Sequence, residues 1–393
     1  MTAFKPARAL QDLLLVALML CALAGVIALA YHVAFRWGVN EARRTEQRHL
    51  QFLSSDLALA LDKYETLPAA LAGYPDQLDL LRHPEDTARR DAVNHRLEEL
   101  ASRIHVTQIY LMDNRGTTLA ASNWNMAHTF VGQNFAFRPY FRDALAQGSG
   151  RYYAVGTTSL EPGYFLAHRV PDVLAPGQAP QGVIAVKIQL EDIESSWGHD
   201  QSLLMLADQH GVVFLSNRPE WKFHTLAKLD AATLAQIRAE RQYGTAGLES
   251  VPMRDDGDGL AKVAVAEPAG RGRMRWLQVV GERRDLAHMK WTLLSFSTTG
   301  EIANLARSYA AMAGFAFAFA SLSALYARLR HRRNVERRRA QRTLERVHAE
   351  LEQRIGERTA VLVNANDELE SKIRELDRTQ AALRAMQDEL VQA

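Results

Sequence analysis

Two stretches of the chain stay free of charge for the length of a membrane crossing. Leu13 to Phe35 holds no Asp, Glu, Lys or Arg and is mostly Leu, Ala and Val. At a helical rise of ~1.5 Å per residue it covers a hydrocarbon layer of ~30 Å. Ser308 to Ala327 (SYAAMAGFAFAFASLSALYA) is the second, richer in Ala and Ser. Its Ala311, Gly314 and Ala318 are small enough to let helices approach closely. A cleaved signal peptide ending at Ala28-Leu29-Ala30 competes for the first stretch, but the apolar run exceeds an h-region and continues past that site. A buried soluble helix competes for the second, against its length and flanks.

Between the two stretches the period of the apolar positions changes. Leu50, Leu53, Leu57 and Leu61, at spacings of three and four, predict one helix from Trp37 to about Ala72, a strut continuous with the first apolar run. Pro75 and His83-Pro84 interrupt the pattern. Thr87 to Ser102 is helical again, with Val93, Leu97 and Leu100 on one stripe. From Ile109 to Ser122 the period becomes two, which predicts a hairpin turning at Asp113 to Gly116. Leu204 to Asn217 repeats this hairpin without a gap: Asp113 aligns with Asp208, Gly116 with Gly211 and Leu119 with Phe214. Strands at Tyr152–Ser159, Gly163–Val170 and Gly182–Leu190 follow the first hairpin, with Pro171 to Gln181 a surface loop. A helix near Ala231–Arg241 and strands at Arg275–Glu282 and Trp291–Phe296 follow the second.

A hairpin, a helical linker and antiparallel strands, twice over behind a long helix, predict an α/β chain built on a double PAS-like (dCache) sensor. Beyond the second apolar stretch, Ile355, Leu362, Leu369, Leu376, Leu383 and Leu390 recur every seven residues and predict a dimeric C-terminal coiled coil. Leu344 and Leu351 are a heptad pair, but Ile355 follows Leu351 by four, a stutter that locally unwinds the supercoil.

Charge sets the orientation. The net formal charge of the 393 residues is +2, which gives no global argument for nucleic acid. Arg328, Arg330, Arg332, Arg333, Arg337, Arg338 and Arg339 crowd the exit of the second stretch, a cytoplasmic signal. Arg36, Arg43, Arg44 and Arg48 argue the other way, while Lys5 and Arg8 lie on the near side; the denser cluster decides. The predicted layout is a cytoplasmic N-terminus (1–12), transmembrane helix 1 (13–35), a periplasmic sensor (36–303), transmembrane helix 2 (304–327) and a cytoplasmic signalling helix (328–393). The membrane-distal unit of the sensor covers about 103–195 and the membrane-proximal unit about 200–298. That is a two-span protein of an inner membrane.

One cysteine, Cys21, excludes a disulfide framework and a thiolate metal cluster, and none of the thirteen histidines has metal-ligand spacing. No nucleophile and base pair stands out, so an enzyme within these residues is not expected. The chemistry concentrates in Phe130 to Val170 (FVGQNFAFRPYFRDALAQGSGRYYAVGTTSLEPGYFLAHRV). Arg138 stands among aromatics, either as a surface cation–π partner or as a desolvated anion site with a planar fork for a carboxylate. Pro139 suits the first turn of a helix from about Tyr140 to Ala146, whose N-terminal amides would also face an anion. Thr157, Thr158 and Ser159 bring hydroxyls at a strand end and Tyr164 one from the next strand. Lys187, in VIAVKIQL, shares a strand face with Ala185 and Gln189; it is either a second pocket cation or part of a solvated face. Two cations on one sheet suit a ligand with two carboxylates.

FRPYF and the GTTS…GYF pair resemble the ligand-binding region of the C4-dicarboxylate sensor histidine kinase family, the DctB-type sensors, and the likeness extends over the spans, the double sensor and the coiled tail. The resemblance implies a distal PAS-like unit that binds succinate, fumarate or malate, and a two-component output that controls dicarboxylate transport. It implies that Arg138 and Lys187 hold the two carboxylates, with Phe135, Tyr140, Thr157, Ser159 and Tyr164 lining the pocket. Phe135 stands where such sensors often carry Tyr. His348, in VHAELEQ, lacks the Glu-x-Asn-x-Pro sequel of a phospho-accepting histidine, and after Gly300 only Gly314 and Gly356 occur, too few for a nucleotide loop. The chain therefore reads as the sensory half of such a kinase, with ATP, Mg and a response regulator belonging to a kinase core outside it. The partners expected of these residues are a C4-dicarboxylate, a second copy of the chain and a membrane, with no cofactor. The competing class is a double-Cache chemoreceptor or cyclase front end for amino acids, with Asp143 or Glu161 meeting the ammonium. A structural membrane protein whose outer domain binds a protein is the third.

Overall fold

The computed structural model describes residues 6–171, 181–198, 200–267 and 273–392. Residues 1–5, 172–180 of the expected Pro171–Gln181 loop, and the side chains of Leu383 and Leu390 lie outside the described set. The chain divides into two compact units, Ala30–Tyr309 on the one hand and Met1–Leu29 with Ala310–Ala393 on the other.

The second of these is helical. Helix α1 (Pro6–Glu65) and the last helix, Gly300–Gln392, are each long and apolar enough to cross a membrane. A Cβ placed on Gly314 would come within 2.9 Å of Ile27 Cγ1, so the small residue sets how closely the two helices pack. The heptad residues Ile355, Leu362, Leu369 and Leu376 are exposed along the last helix.

In the other unit, α1 is followed by α2 (Leu67–Leu71), α3 (Pro75–Arg82) and α4 (Thr87–Ile104). The helix expected to run from Trp37 to Ala72 breaks after Glu65, because Pro68, in the first turn of α2, has no N–H and its ring excludes the preceding carbonyl. Pro75, expected to interrupt, instead opens α3 at its first turn, where its missing N–H needs no partner. Strands β1 (Gln108–Asp113), β2 (Thr118–Ala121), β3 (Ser149–Val155), β4 (Pro162–Val170) and β5 (Gly182–Ile188) form an antiparallel sheet in the order β2-β1-β5-β4-β3, with α5 (Pro139–Gln147) between β2 and β3. Helix α6 (Glu191–Trp197) leads to a second sheet of β6 (Leu203–Ala207), β7 (Val213–Ser216), β8 (Met253–Gly257), β9 (Leu260–Ala266), β10 (Met274–Leu286) and β11 (Trp291–Thr298), with α7 (Ala231–Ala239) after β7. Its order, β7-β6-β11-β10-β9-β8, is that of the first sheet with one strand added at the edge. The closing helix, α8 (Gly300–Gln392), follows β11.

The duplication holds at the level of single hydrogen bonds. Asp113 Oδ1 accepts from the amides of Arg115 and Thr117, and Asp208 Oδ1 from those of His210 and Val212. Gly116 and Gly211 take φ of 85° and 77°, the left-handed conformation that closes each turn. Tyr110 pairs with Ala121 as Met205 pairs with Ser216. One apolar core joins both sheets to α1, whose Leu50, Leu53, Leu57 and Leu61 are all buried in it. The opposite face of each sheet has its own core, that of the first sheet lying beneath α5.

Candidate functional site

The face of the first sheet beneath α5 is the aromatic box anticipated in Phe130 to Val170. Gly116 makes room for it: a Cβ there would meet the Ala136 backbone at 2.6 Å, and its carbonyl accepts the Phe135 amide at 2.9 Å. The tie brings Phe135 and Arg138 against the hairpin. Arg138 occupies the N-cap position of α5 and Pro139 its first turn, as the sequence suggested. Gly150 of β3 lets the Tyr140 carbonyl come within Cβ distance, so α5 lies flat on the strand. Tyr140 then stacks on Phe165 at 5.2 Å, and Tyr110 Oη donates to Tyr140 Oη at 2.7 Å. Burial pushes both phenols up, and the Arg138 charge pulls each back only in part.

Arg138 is 1 % exposed, so it is not a surface residue, and its guanidinium lies 5.2 Å from the Phe137 ring. Nη1 donates to the carbonyls of Glu240 and Arg241 at 3.1 and 3.2 Å, and Nη2 to that of Val155 at 2.8 Å. Three of its five N–H groups are thereby used, leaving two for another acceptor. Burial lowers its pKa against the pull of three neighbouring tyrosines. Lys187 is also fully buried and points to the same face of the sheet as Val183 and Ala185, so the solvated-face reading is set aside. Its Nζ donates to Ser159 Oγ at 2.9 Å and stands 3.6 Å from Glu161 Oε2. Burial lowers its pKa, and Glu161 opposes that.

Of the residues singled out in the sequence, Phe135, Arg138, Tyr140 and Thr157 line one small cavity, together with Tyr110, Phe130, Gly156, Thr158 and Phe165. Ser159 and Lys187 sit at its edge, where a Cβ on Gly156 would lie 3.7 Å from Lys187 Nζ. Tyr164 does not belong to this group. It faces the other side of the sheet and meets Trp291 edge-on at 5.0 Å, because alternation along β4 sends Phe165, not Tyr164, toward α5. The strand expected to run to Ser159 ends at Val155, and Thr157 to Ser159 form a turn over the cavity. Tyr110 and Phe165 were missed; the period-two pattern offered both faces of each strand and gave no means to choose. The cavity holds about 10 Å³, space for at most one water. A molecule larger than one water does not fit the cavity as it stands.

Comparison with known proteins bears on the whole chain. No family model matches it. It is 32% identical over 362 residues to the C4-dicarboxylate transport sensor protein DctB of Pseudomonas aeruginosa, covering 92% of this chain and 55% of that protein. To the protein of the same name from Rhizobium meliloti it is 32% identical over 349 residues, covering 86% of this chain and 54% of that one. The chain thus spans about half the length of the curated relatives it matches. Among solved structures, the sensor domain of the V. cholerae histidine kinase DctB superposes with a TM-score of 0.58 at 31% identity, over 66% of this chain and 98% of that domain. Relatedness in sequence over nearly the full chain, and in structure over nearly the full sensor domain, places the chain in the DctB family of sensor proteins.

Proposed function

We propose that the chain is the sensory part of a two-component receptor for C4-dicarboxylates, embedded in the inner membrane by 13–35 and 304–327, with 36–303 in the periplasm and 328–393 in the cytoplasm. Within the sensor, about 103–195 is the membrane-distal unit and about 200–298 the membrane-proximal one. The observation that carries this reading is the pair of buried cations, Arg138 and Lys187, on one face of the first sheet at the edge of one aromatic cavity. Buried charges without full countercharge are unfavourable unless a partner arrives. A four-carbon chain with a carboxylate at each end supplies two.

Arg138 gives a planar fork with two N–H groups still free, and Lys187 a point charge. The aromatic walls exclude water and strengthen both contacts. Entry of the diacid shifts the Gly156–Ser159 turn, and with it Val155, whose amide donates to the Gln242 carbonyl at 2.8 Å. The second sheet thus feels the ligand, and its β11 leads into α8. The signal exists only insofar as the diacid binds the two arrangements with different affinity. Output then passes, in a homodimer, through the coiled helix to a kinase core and a response regulator. ATP and Mg belong to that core.

The test combines two measurements. Reporter fusions at residue 37 side and residue 340 side read the topology. Thermal unfolding of the full chain in lipid nanodiscs, with succinate, fumarate, malate and the monocarboxylate butyrate, reads the ligand. Stabilisation by the diacids but not by butyrate is the expected result; stabilisation by neither class sets the ligand assignment aside.

A further inference from the structure

The two sheets differ at one end. In the first, β4 starts at Pro162, and its last pair with β5 is already Tyr164 with Ile188. In the second, Met274 to Gln278 of β10 lie beyond the last pair with β11, Val279 with Thr298, and are matched there only by β9, from Ala266 to Lys262. The second sheet thus has a long strand end that the first lacks. Its direction follows from α1. Ser297 of β11 donates to Glu46, and a Cβ on Gly38 would lie 2.6 Å from Ile302 Cγ2, so β11 and the start of α8 run beside α1 toward Phe35. Val280 of β10 pairs with Ser297. From Val280 to Met274 the strand covers ~20 Å at ~3.3 Å per residue, and from Glu46 to Phe35 the helix covers ~17 Å at ~1.5 Å per residue. The strand end therefore reaches about the level of Phe35, where the first apolar stretch stops.

The side chains there suit that level. Arg273, Met274, Arg275 and Trp276 are all exposed, Met274 and Trp276 by 43 % each. Arg254 of β8 lies over the Trp276 ring at 4.8 Å. Arg254, Arg273 and Arg275 make no ion pair with a described side chain. Glu220 accepts from the Ala266 amide at 2.9 Å, Glu267 faces solvent, and Asp256, further up the hairpin, is held by Lys262 and Gln278 at 2.8 and 2.7 Å. Trp37, exposed on α1, marks the same boundary. A tryptophan among arginines is the composition of a membrane–water boundary: the ring lies among headgroups with its N–H still wet, and a guanidinium meets a phosphate with two hydrogen bonds.

We propose that this strand end seats on the periplasmic leaflet of the membrane, Arg254, Arg273 and Arg275 meeting lipid phosphates and Met274 and Trp276 lying among the headgroups. The inference rests on the two-span topology proposed above. A second copy of the chain fits the patch less well, since a symmetric contact brings the same arginines face to face. An acidic soluble protein matches the arginines but gives no reason for the strand to extend to the apolar boundary. The lipid surface accounts for the length of β10, its charge and its exposed aromatic ring together.

The test is spin-label depth measurement on the full chain in nanodiscs of phosphatidylethanolamine and phosphatidylglycerol. Cys21, the one cysteine, is replaced in Cys21→Ser, and single labels are placed by Met274→Cys, by Trp37→Cys at the end of the first span and by Met126→Cys, exposed in the segment after β2. All three positions are exposed, and circular dichroism checks that the variants fold. Accessibility to oxygen against a water-soluble nickel chelate reads depth. The expected result is a ratio at 274 close to that at 37 and above that at 126, and a shift toward that of 126 when Arg273→Glu and Arg275→Glu are added. A label at 274 as open to water as that at 126, one shielded from both reagents as by a protein partner, or a depth unmoved by the two charge reversals overturns the inference. A label at 37 in the headgroup layer with 274 in water sinks the inference alone; a label at 37 in water sinks the topology and the inference with it.

Discussion

Arg138 Nη1 donates to the main-chain carbonyl of Glu240, 102 residues further along the chain, at 3.1 Å. The acceptor lies at the C-terminal end of α7, where the helix dipole favours a cation. Arg241 offers a second carbonyl at 3.2 Å and Val155 a third at 2.8 Å. Gln242 completes the seam, its amide donating to the Tyr153 carbonyl at 3.1 Å. The residue proposed to read a carboxylate is thus the same residue that fastens the first sheet to the second. A carboxylate would take the two N–H groups these carbonyls leave free, and a charged acceptor is a stronger partner than a carbonyl.

Arg138→Lys separates these duties. Lysine keeps the charge but has no planar fork and only three donors. Buried carbonyls at 155, 240 and 241 lose partners, and stability is expected to fall by about 1–3 kcal/mol. Diacid affinity is expected to fall at least about tenfold, the equivalent of ~1.4 kcal/mol. Thermal unfolding and succinate titration of the same preparation read both; wild-type values in both contradict the shared role.

Lys187 gives a pH dependence with a definite sign. Burial lowers its pKa in the folded protein, so the unfolded chain binds that proton more tightly. Stability therefore rises with pH from the lowered folded value up to the ordinary lysine value of ~10.4. Lys187→Met removes this rise and is expected to be as stable as the parent or more so near neutrality. A bound carboxylate favours the charged lysine, so succinate binding takes up protons at pH values between the lowered folded pKa and the ordinary lysine value. Titration in buffers of different ionisation enthalpy measures the uptake; none in the wild type contradicts the assignment.

Glu46 on α1 is 3 % exposed and accepts hydrogen bonds from Ser202 at 3.0 Å and from Ser295 and Ser297 of β11. It is the polar clasp between the long helix and the strand that precedes α8. Glu46→Ala strands these hydroxyls and is expected to destabilise the sensor by about 2–4 kcal/mol, whereas Glu46→Gln, which keeps one acceptor oxygen, loses about half of that. Denaturant midpoints of the two variants rank them; equal midpoints for Ala and wild type contradict the clasp.

Gly150→Ala tests the seating of α5. The added Cβ runs into the Tyr140 backbone carbonyl, which cannot rotate away as a side-chain end would. Overpacking there is expected to destabilise by about 1–3 kcal/mol and to weaken diacid binding by displacing the Tyr140 wall. Gly247→Ala, where the nearest atom is Glu249 Cγ at 4.0 Å, serves as control and is expected to stay within ~0.5 kcal/mol.

What the sequence carried was local chemistry. The Asp-to-Gly turns at Asp113–Gly116 and Asp208–Gly211 announced the duplication, since few residues take φ above zero without strain. The leucine stripe at 50, 53, 57 and 61 announced the buried face of α1. The β8–β9 hairpin was overlooked although Asp258-Gly259, with φ of 52° and 72°, is a strong turn signal. Its first strand, Met253–Gly257, is almost wholly solvent-facing and so has no apolar alternation to detect. At the candidate site, Arg138 and Lys187 stood out by charge among apolar neighbours. Which face Tyr164 takes, and that Arg138 grips carbonyls 102 and 103 residues away, depend on tertiary packing that no local pattern encodes.

The central claim is that two buried cations hold a four-carbon diacid. Isothermal titration of succinate into the full chain in lipid nanodiscs tests it most directly, with Arg138→Ala and Lys187→Met alongside. The account predicts one saturable binding event in the wild type, weakened at least about tenfold in each variant, the loss of one charged contact apiece. No heat from succinate, fumarate or malate in the wild type, or undiminished heat in both variants, contradicts it.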